Sequence, residues 1–107
     1  MTRLATIDDQ LAISVITVTE LLGGMRQGEE TRTERLLSLF VILNVSEVVG
    51  RQAAAYLRQY RRSHQIDLGD ALIAATAKQN AAELFTRNVK HYPMADIVVT
   101  VPYERGG

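Results

Sequence analysis

The chain of 107 residues contains no cysteine, no tryptophan, two prolines and two histidines, and no surplus of either charge, with twelve basic against twelve acidic side chains. Without cysteine there is no disulfide framework, no thiolate nucleophile and no cysteine zinc site. His64 and His91 lie too far apart in sequence to form a recognisable zinc spacing, so each is open to a structural or surface role or to a substrate or metal contact. Any metal site must rest mainly on oxygen ligands, which favours Mg2+ or Mn2+ over structural zinc. A formal charge of zero departs from the generic nucleic-acid-binding composition. No apolar run approaches the roughly 20 residues that cross a bilayer. Asp8 and Asp9 stand where a secretory leader would continue apolar, so the expected location is the cytoplasm, away from the membrane.

What is present is an apolar α/β pattern, with 47% of residues in the hydrophobic set. This length and composition predict one domain over residues 1–107. Leu11 to Ile16 reads as a strand buried on both sides, interrupted by Ser14, and a helix fits from Val18 until Gly23, Gly24 and the Gln27-Gly28-Glu29-Glu30 stretch end it. A second helix takes in Glu34, Leu36, Leu37 and Leu39, and Phe40 to Val45 reads as a strand. From Val48 to about Arg62, Val49, Ala53, Tyr56 and Tyr60 recur at helical spacing and leave Arg51, Arg58, Arg61 and Arg62 on other faces. That arginine stripe suits a solvated surface or an RNA contact. Leu68 to Ala81 is apolar around most of its axis and asks to be buried. Glu83 to Thr86 and Ile97 to Val101 complete an alternation that predicts a largely parallel α/β sandwich.

Three polar signatures interrupt this pattern. In Ser14-Val15-Ile16-Thr17-Val18-Thr19-Glu20-Leu21, Glu20 falls just past the strand end, where the carboxyl edge of a parallel sheet places ligand-binding groups. Thr17 and Glu20 also have the spacing of a helix capping box, and both roles are open. Asp67 and Asp70 pose the same choice: Asp67 can cap the apolar helix, and Asp70 sits in its first turn near the positive end of the dipole. A carboxylate buried there without a partner is costly, which favours Asp70 as an ion ligand and Asp67 as the cap. In Thr86-Arg87-Asn88, Asn88 can orient water or phosphate or simply make a strand-end turn, and Thr86 can hydrogen-bond a carboxylate. Arg87 and Lys90 suit phosphate or a surface ion pair. No helix-turn-helix with a basic recognition helix emerges, and Gly23-Gly24 lacks the phosphate-cradling pattern.

In order and spacing, these segments, together with Asp70-Ala71-Leu72-Ile73-Ala74-Ala75-Thr76-Ala77 and Thr86-Arg87-Asn88-Val89-Lys90-His91-Tyr92, resemble the PIN-domain family, especially the small bacterial toxin nucleases of toxin–antitoxin pairs. The resemblance runs from about Ala12 to Val101. It implies a three-layer α/β/α sandwich with a mainly parallel sheet and metal-dependent hydrolysis of RNA phosphodiesters. Glu20 and Asp70 would hold Mg2+ or Mn2+, Asn88 would join them as the third catalytic residue, and Arg87 and Lys90 would be auxiliary phosphate contacts. A cognate antitoxin is the implied partner. One expected part has no counterpart: nothing before Leu11 matches the hydrophobic first strand that ends in the family's first catalytic aspartate, and Asp8 and Asp9 precede the segment matching the second strand. The expectation is therefore a domain N-terminally truncated relative to the family and lacking its usual first strand, and a homo-oligomer is expected both from the resemblance and from the exposed sheet edges. A catalytically impaired protein that binds an antitoxin or itself is the alternative.

Overall fold

The computed structural model describes residues 4–102. They form a five-stranded sheet flanked by helices, in the order β1 (Leu4–Ile7), β2 (Gln10–Ser14), α1 (Val15–Gly24), α2 (Glu30–Leu37), β3 (Val41–Leu43), α3 (Glu47–His64), α4 (Leu68–Gln79), β4 (Glu83–Phe85), a 3-10 turn at Val89–His91, and β5 (Val98–Thr100). Across the sheet the strands run β3-β2-β1-β4-β5.

The expectation of a mainly parallel sheet without a first strand is overturned. β1 exists and holds the centre of the sheet, with Ala5 opposite Ala12 of β2 on one side and Leu84 of β4 on the other. Both of these pairings are antiparallel, whereas β2 with β3 and β4 with β5 are parallel, so the sheet is mixed. The reason lies in the turn. Asp8 and Asp9 have φ of 50° and 64°, and Ile7 pairs with Gln10, which is a two-residue hairpin with both central residues in the left-handed region. Aspartate tolerates that region because its short side chain can hydrogen-bond locally. The hairpin lets Leu4-Ala5-Thr6-Ile7 supply the donors and acceptors that β2 and β4 would otherwise leave bare. The inner-edge argument for self-association therefore falls away, and among the described residues β3 and β5 form the outer edges.

A second correction concerns the entry to α1. β2 ends at Ser14, not Ile16, because the Ser14 hydroxyl accepts from the N–H groups of Ile16 (3.1 Å) and Thr17 (3.2 Å) and starts the helix there. The Thr17–Glu20 capping box is thus not the cap used. β3 is shorter than the expected Phe40–Val45 strand, and α2 stops at Leu37, before Leu39.

The core follows the periodicities. α3 buries Val49, Ala53 and Tyr56, while Arg51, Arg58, Arg61 and Arg62 are exposed; Arg51 Nε donates to Glu47 Oε2 at 2.7 Å on the surface. α4 buries Ala71 and every residue from Ile73 to Ala77, and its small side chains allow α3 to pack closely against it. Ile13 and Leu84 from the inner strands are almost fully enclosed, each contributing about 1.5–3 kcal/mol by leaving water.

Tyr56 ties this helical layer to the approach to β5. Its hydroxyl donates to Asp96 Oδ1 at 2.8 Å, and burial together with the Asp96 carboxylate raises its pKa well above the ordinary value. Tyr56→Phe is expected to lower stability by about 1 kcal/mol in urea titrations at neutral pH, since Asp96 can regain water. A group raised in this way contributes stability that is fully present below its unfolded pKa of about 10 and is lost as pH rises through the folded value. The difference between the two proteins should therefore shrink in strongly alkaline buffer.

Candidate metal and phosphate site

The polypeptide brings its polar signatures to one edge of the sheet. Because β1 runs against both β2 and β4, those two strands run parallel to each other and end at the same edge, which carries Ser14 and Thr86. Leu4 pairs with Phe85, so β1 enters the sheet at this edge and leaves at the opposite one. Asp8 and Asp9 accordingly lie at the far end of the sheet from Asp70 and take no part in the site.

Asp70 is the centre of the arrangement. It is only 5% exposed. As expected, Asp67 caps α4, and the cap is reciprocal: Asp70 N donates to Asp67 Oδ1 at 2.8 Å and Asp67 N donates to Asp70 Oδ2 at 3.1 Å. The Tyr92 hydroxyl donates to Asp70 Oδ1 at 3.3 Å, and His91 Nδ1 lies 3.5 Å from Oδ2. Burial pushes the Asp70 carboxyl above its usual range, with the neighbouring Asp67 charge adding to the shift, while the backbone hydrogen bond from Asp67 and the His91 ring oppose it.

Around it, Thr86 is fully buried and its hydroxyl accepts from Asn88 N at 3.1 Å. Thr86 therefore braces the turn that carries Asn88, whose side chain is exposed. Glu20 is an exposed residue of α1, a helix that packs on α4. The buried Thr17 hydroxyl, in the first turn of the same helix, has no hydrogen-bond partner among the described residues. Arg87 and Lys90 are exposed on the turn after β4. Among the described residues no three acidic or histidine side chains converge as a ready-made metal cluster.

Sequence reasoning missed Tyr92 and left His91 undecided. Their signal was faint: His91 lies three residues beyond Asn88, and the 3-10 turn Val89–His91 folds the chain back so that the two rings reach Asp70. Nothing in residue spacing alone joins positions 70 and 92.

Comparison with known proteins gives a consistent result. Residues 2–96 match the family described as PIN domain. Ribonuclease VapC10 of Mycobacterium tuberculosis is 50% identical over 88 residues, which cover 81% of this chain and 66% of the relative. Ribonuclease VapC19 of the same organism is 41% identical over 87 residues, covering 80% and 70%. The chain thus spans just under two thirds of the length of the first of these relatives. A solved toxin-antitoxin complex from Klebsiella pneumoniae superposes with a TM-score of 0.69 at 36% identity, over 88% of this chain and 75% of that one.

Proposed function

Because this chain belongs to the PIN-domain family, we propose that it is a divalent-metal-dependent ribonuclease, the toxin component of a toxin–antitoxin pair, which hydrolyses RNA phosphodiester bonds. The observation that carries the reading is the buried Asp70 carboxylate, held by Tyr92 and the Asp67 cap at the edge where β2 and β4 end. Its cap, hydroxyl and imidazole partners hold it in place, and burying a carboxylate remains costly, so a cation at this point would add to the compensation.

The residues fit a hard cation. The donors are carboxylates, and a buried Thr17 hydroxyl at the same edge, without a hydrogen-bond partner among the described residues, adds polar capacity there. Mg2+ is ordinarily bound through one or two carboxylates, with water and substrate phosphates completing its shell, so a third clustered acid is not required. Asp70 and Glu20 would hold the ion, which when bound activates water and stabilises the charge that develops on the phosphoryl group. Tyr92 and His91 fix the Asp70 carboxylate in one orientation, and the Asn88 side chain is available to position water or a phosphate oxygen. Arg87 and Lys90 offer cations to the RNA backbone. Exposed apolar side chains at Leu39, Val41, Ile42 and Val48, on and near the outer strand β3, support an antitoxin partner and self-association.

One observation favours the second reading, a catalytically impaired interaction protein: the reversed β1 directs Asp8 and Asp9 to the opposite end of the sheet and so brings no carboxylate of its own to the site. A single experiment separates the two. Calorimetric titration of the chain with Mn2+, alongside an RNA-cleavage assay, should show saturable binding and metal-dependent cleavage, both lost in a Glu20→Ala/Asp70→Ala double variant. A folded wild-type sample that neither binds Mn2+ nor cuts RNA would leave only the interaction-protein reading.

A further inference from the structure

The last turn of α3 and the 3-10 turn after β4 enclose an open cleft of about 250 Å³, lined by Ser63, His64, Gln65, Lys90 and His91. Among the described residues, no acidic side chain lines it. Arg61 and Arg62 are exposed in the same last turn of α3, so positive and protonatable groups concentrate here in a chain whose formal net charge is zero. Cations in the final turn of a helix also answer its dipole. That accounts for Arg61, Arg62 and His64, but not for Lys90, which arrives from a distant part of the chain. Gln65, at φ 54°, ends α3 in the left-handed region and turns the chain along the cleft. His64 is held by its neighbours: Ser63 Oγ lies 2.7 Å from its Nδ1, and the Tyr60 ring meets it edge-on at 5.8 Å between centroids. His91 forms the shared wall, since it lines the cleft and also lies against Asp70.

We propose that this cleft is a phosphate-binding subsite for the RNA strand, holding a backbone phosphate next to the one presented to Asp70. The proposal rests on the ribonuclease reading and adds to it where the strand lies, running from the Asp70 edge past His91 towards the end of α3. Contacts of this kind set the position of a nucleic acid without reading its sequence. They also make binding depend on salt, with a log–log slope near 0.7 for each phosphate neutralised on a single strand.

The test is fluorescence anisotropy with a short, labelled, mixed-sequence single-stranded RNA in EDTA, so that affinity is read without cleavage. The His64→Ala/Lys90→Ala variant changes only exposed side chains. It should raise Kd about tenfold and flatten the salt slope by about 0.7. Arg51→Ala, at the far end of α3, should change neither. No measurable binding by the wild type, a double variant that binds as well as the wild type, or an equal loss in Arg51→Ala would each overturn the subsite. The two readings fail separately: Mn2+-dependent cleavage combined with unchanged binding in the double variant rejects the cleft alone, whereas cleft-dependent binding without cleavage rejects the nuclease.

Discussion

Ala5→Pro is expected to cost about 3 kcal/mol, from an unmade buried hydrogen bond plus steric strain, and to lower the thermal midpoint by on the order of 15 °C. Ala5 is buried in the middle of β1, the central strand, between Ala12 and Leu84. Proline there removes a ladder donor and sets its ring against a neighbouring strand, which sheets tolerate only at edges and bulges. Against a typical total stability of about 5–15 kcal/mol, the loss leaves a marginal fold or none. The measurement is circular dichroism melting of the two proteins side by side. It discriminates sharply, because a chain whose sheet began at β2 would carry Ala5 outside the sheet and melt unchanged. An unaltered midpoint would therefore reject the central antiparallel strand and restore the expectation that no strand precedes Leu11.

That strand was legible in principle. Leu4-Ala5-Thr6-Ile7 is a short apolar run with a β-branched end, and Asp8-Asp9 separates it from Gln10 by the two residues that a tight hairpin needs. The family resemblance works against it, because its template has a first strand that runs parallel and ends in a catalytic carboxylate. Measured against that template these residues fail, although as a hairpin they succeed. Periodicity worked where burial is one-sided or complete, as in α3 and α4, because the apolar spacing there is dictated by the surface each helix covers. It failed by a few residues at the start of α1. Val15, Ile16 and Val18 favour a strand by propensity, yet one serine hydroxyl that captures two backbone donors decides the boundary.

The site divides along the same line. Asp67 and Asp70 could be found because their roles are local: a cap and a first-turn carboxylate three residues apart, whose hydrogen bonds close within a single turn. Tyr92 could not, because its role depends on a contact across 22 positions that only the packed fold creates. Glu20 is a case between these. Its spacing from the strand end singles it out in the sequence, and the fold places it among the exposed residues of α1.

On the ribonuclease reading, Asp70→Asn is expected to lower RNA cleavage by on the order of a hundredfold or more and, at the same time, to raise the unfolding midpoint at neutral pH. The two effects share one cause. Burial raises the Asp70 carboxyl above its usual pKa, so ionising it opposes folding. The contribution of such a group to stability is fully present below its unfolded pKa of about 3.9 and is lost as pH rises through the folded value. At neutral pH the wild type therefore bears a cost that the neutral amide escapes. The asparagine oxygen can still accept from Asp67 N, and the cap is kept. Melting curves from acid to neutral pH should show the variant pulling ahead of the wild type as pH rises, and the gap closing below about pH 4. Added Mn2+ should raise the wild-type midpoint and leave the variant unmoved, because an ion that binds the folded carboxylate stabilises it and the neutral amide offers no such charge. A variant less stable than the wild type at every pH would mean that the Tyr92 and His91 contacts already compensate the carboxylate. Asp70 would then be a structural anchor of α4, and the cation would have to be sought elsewhere.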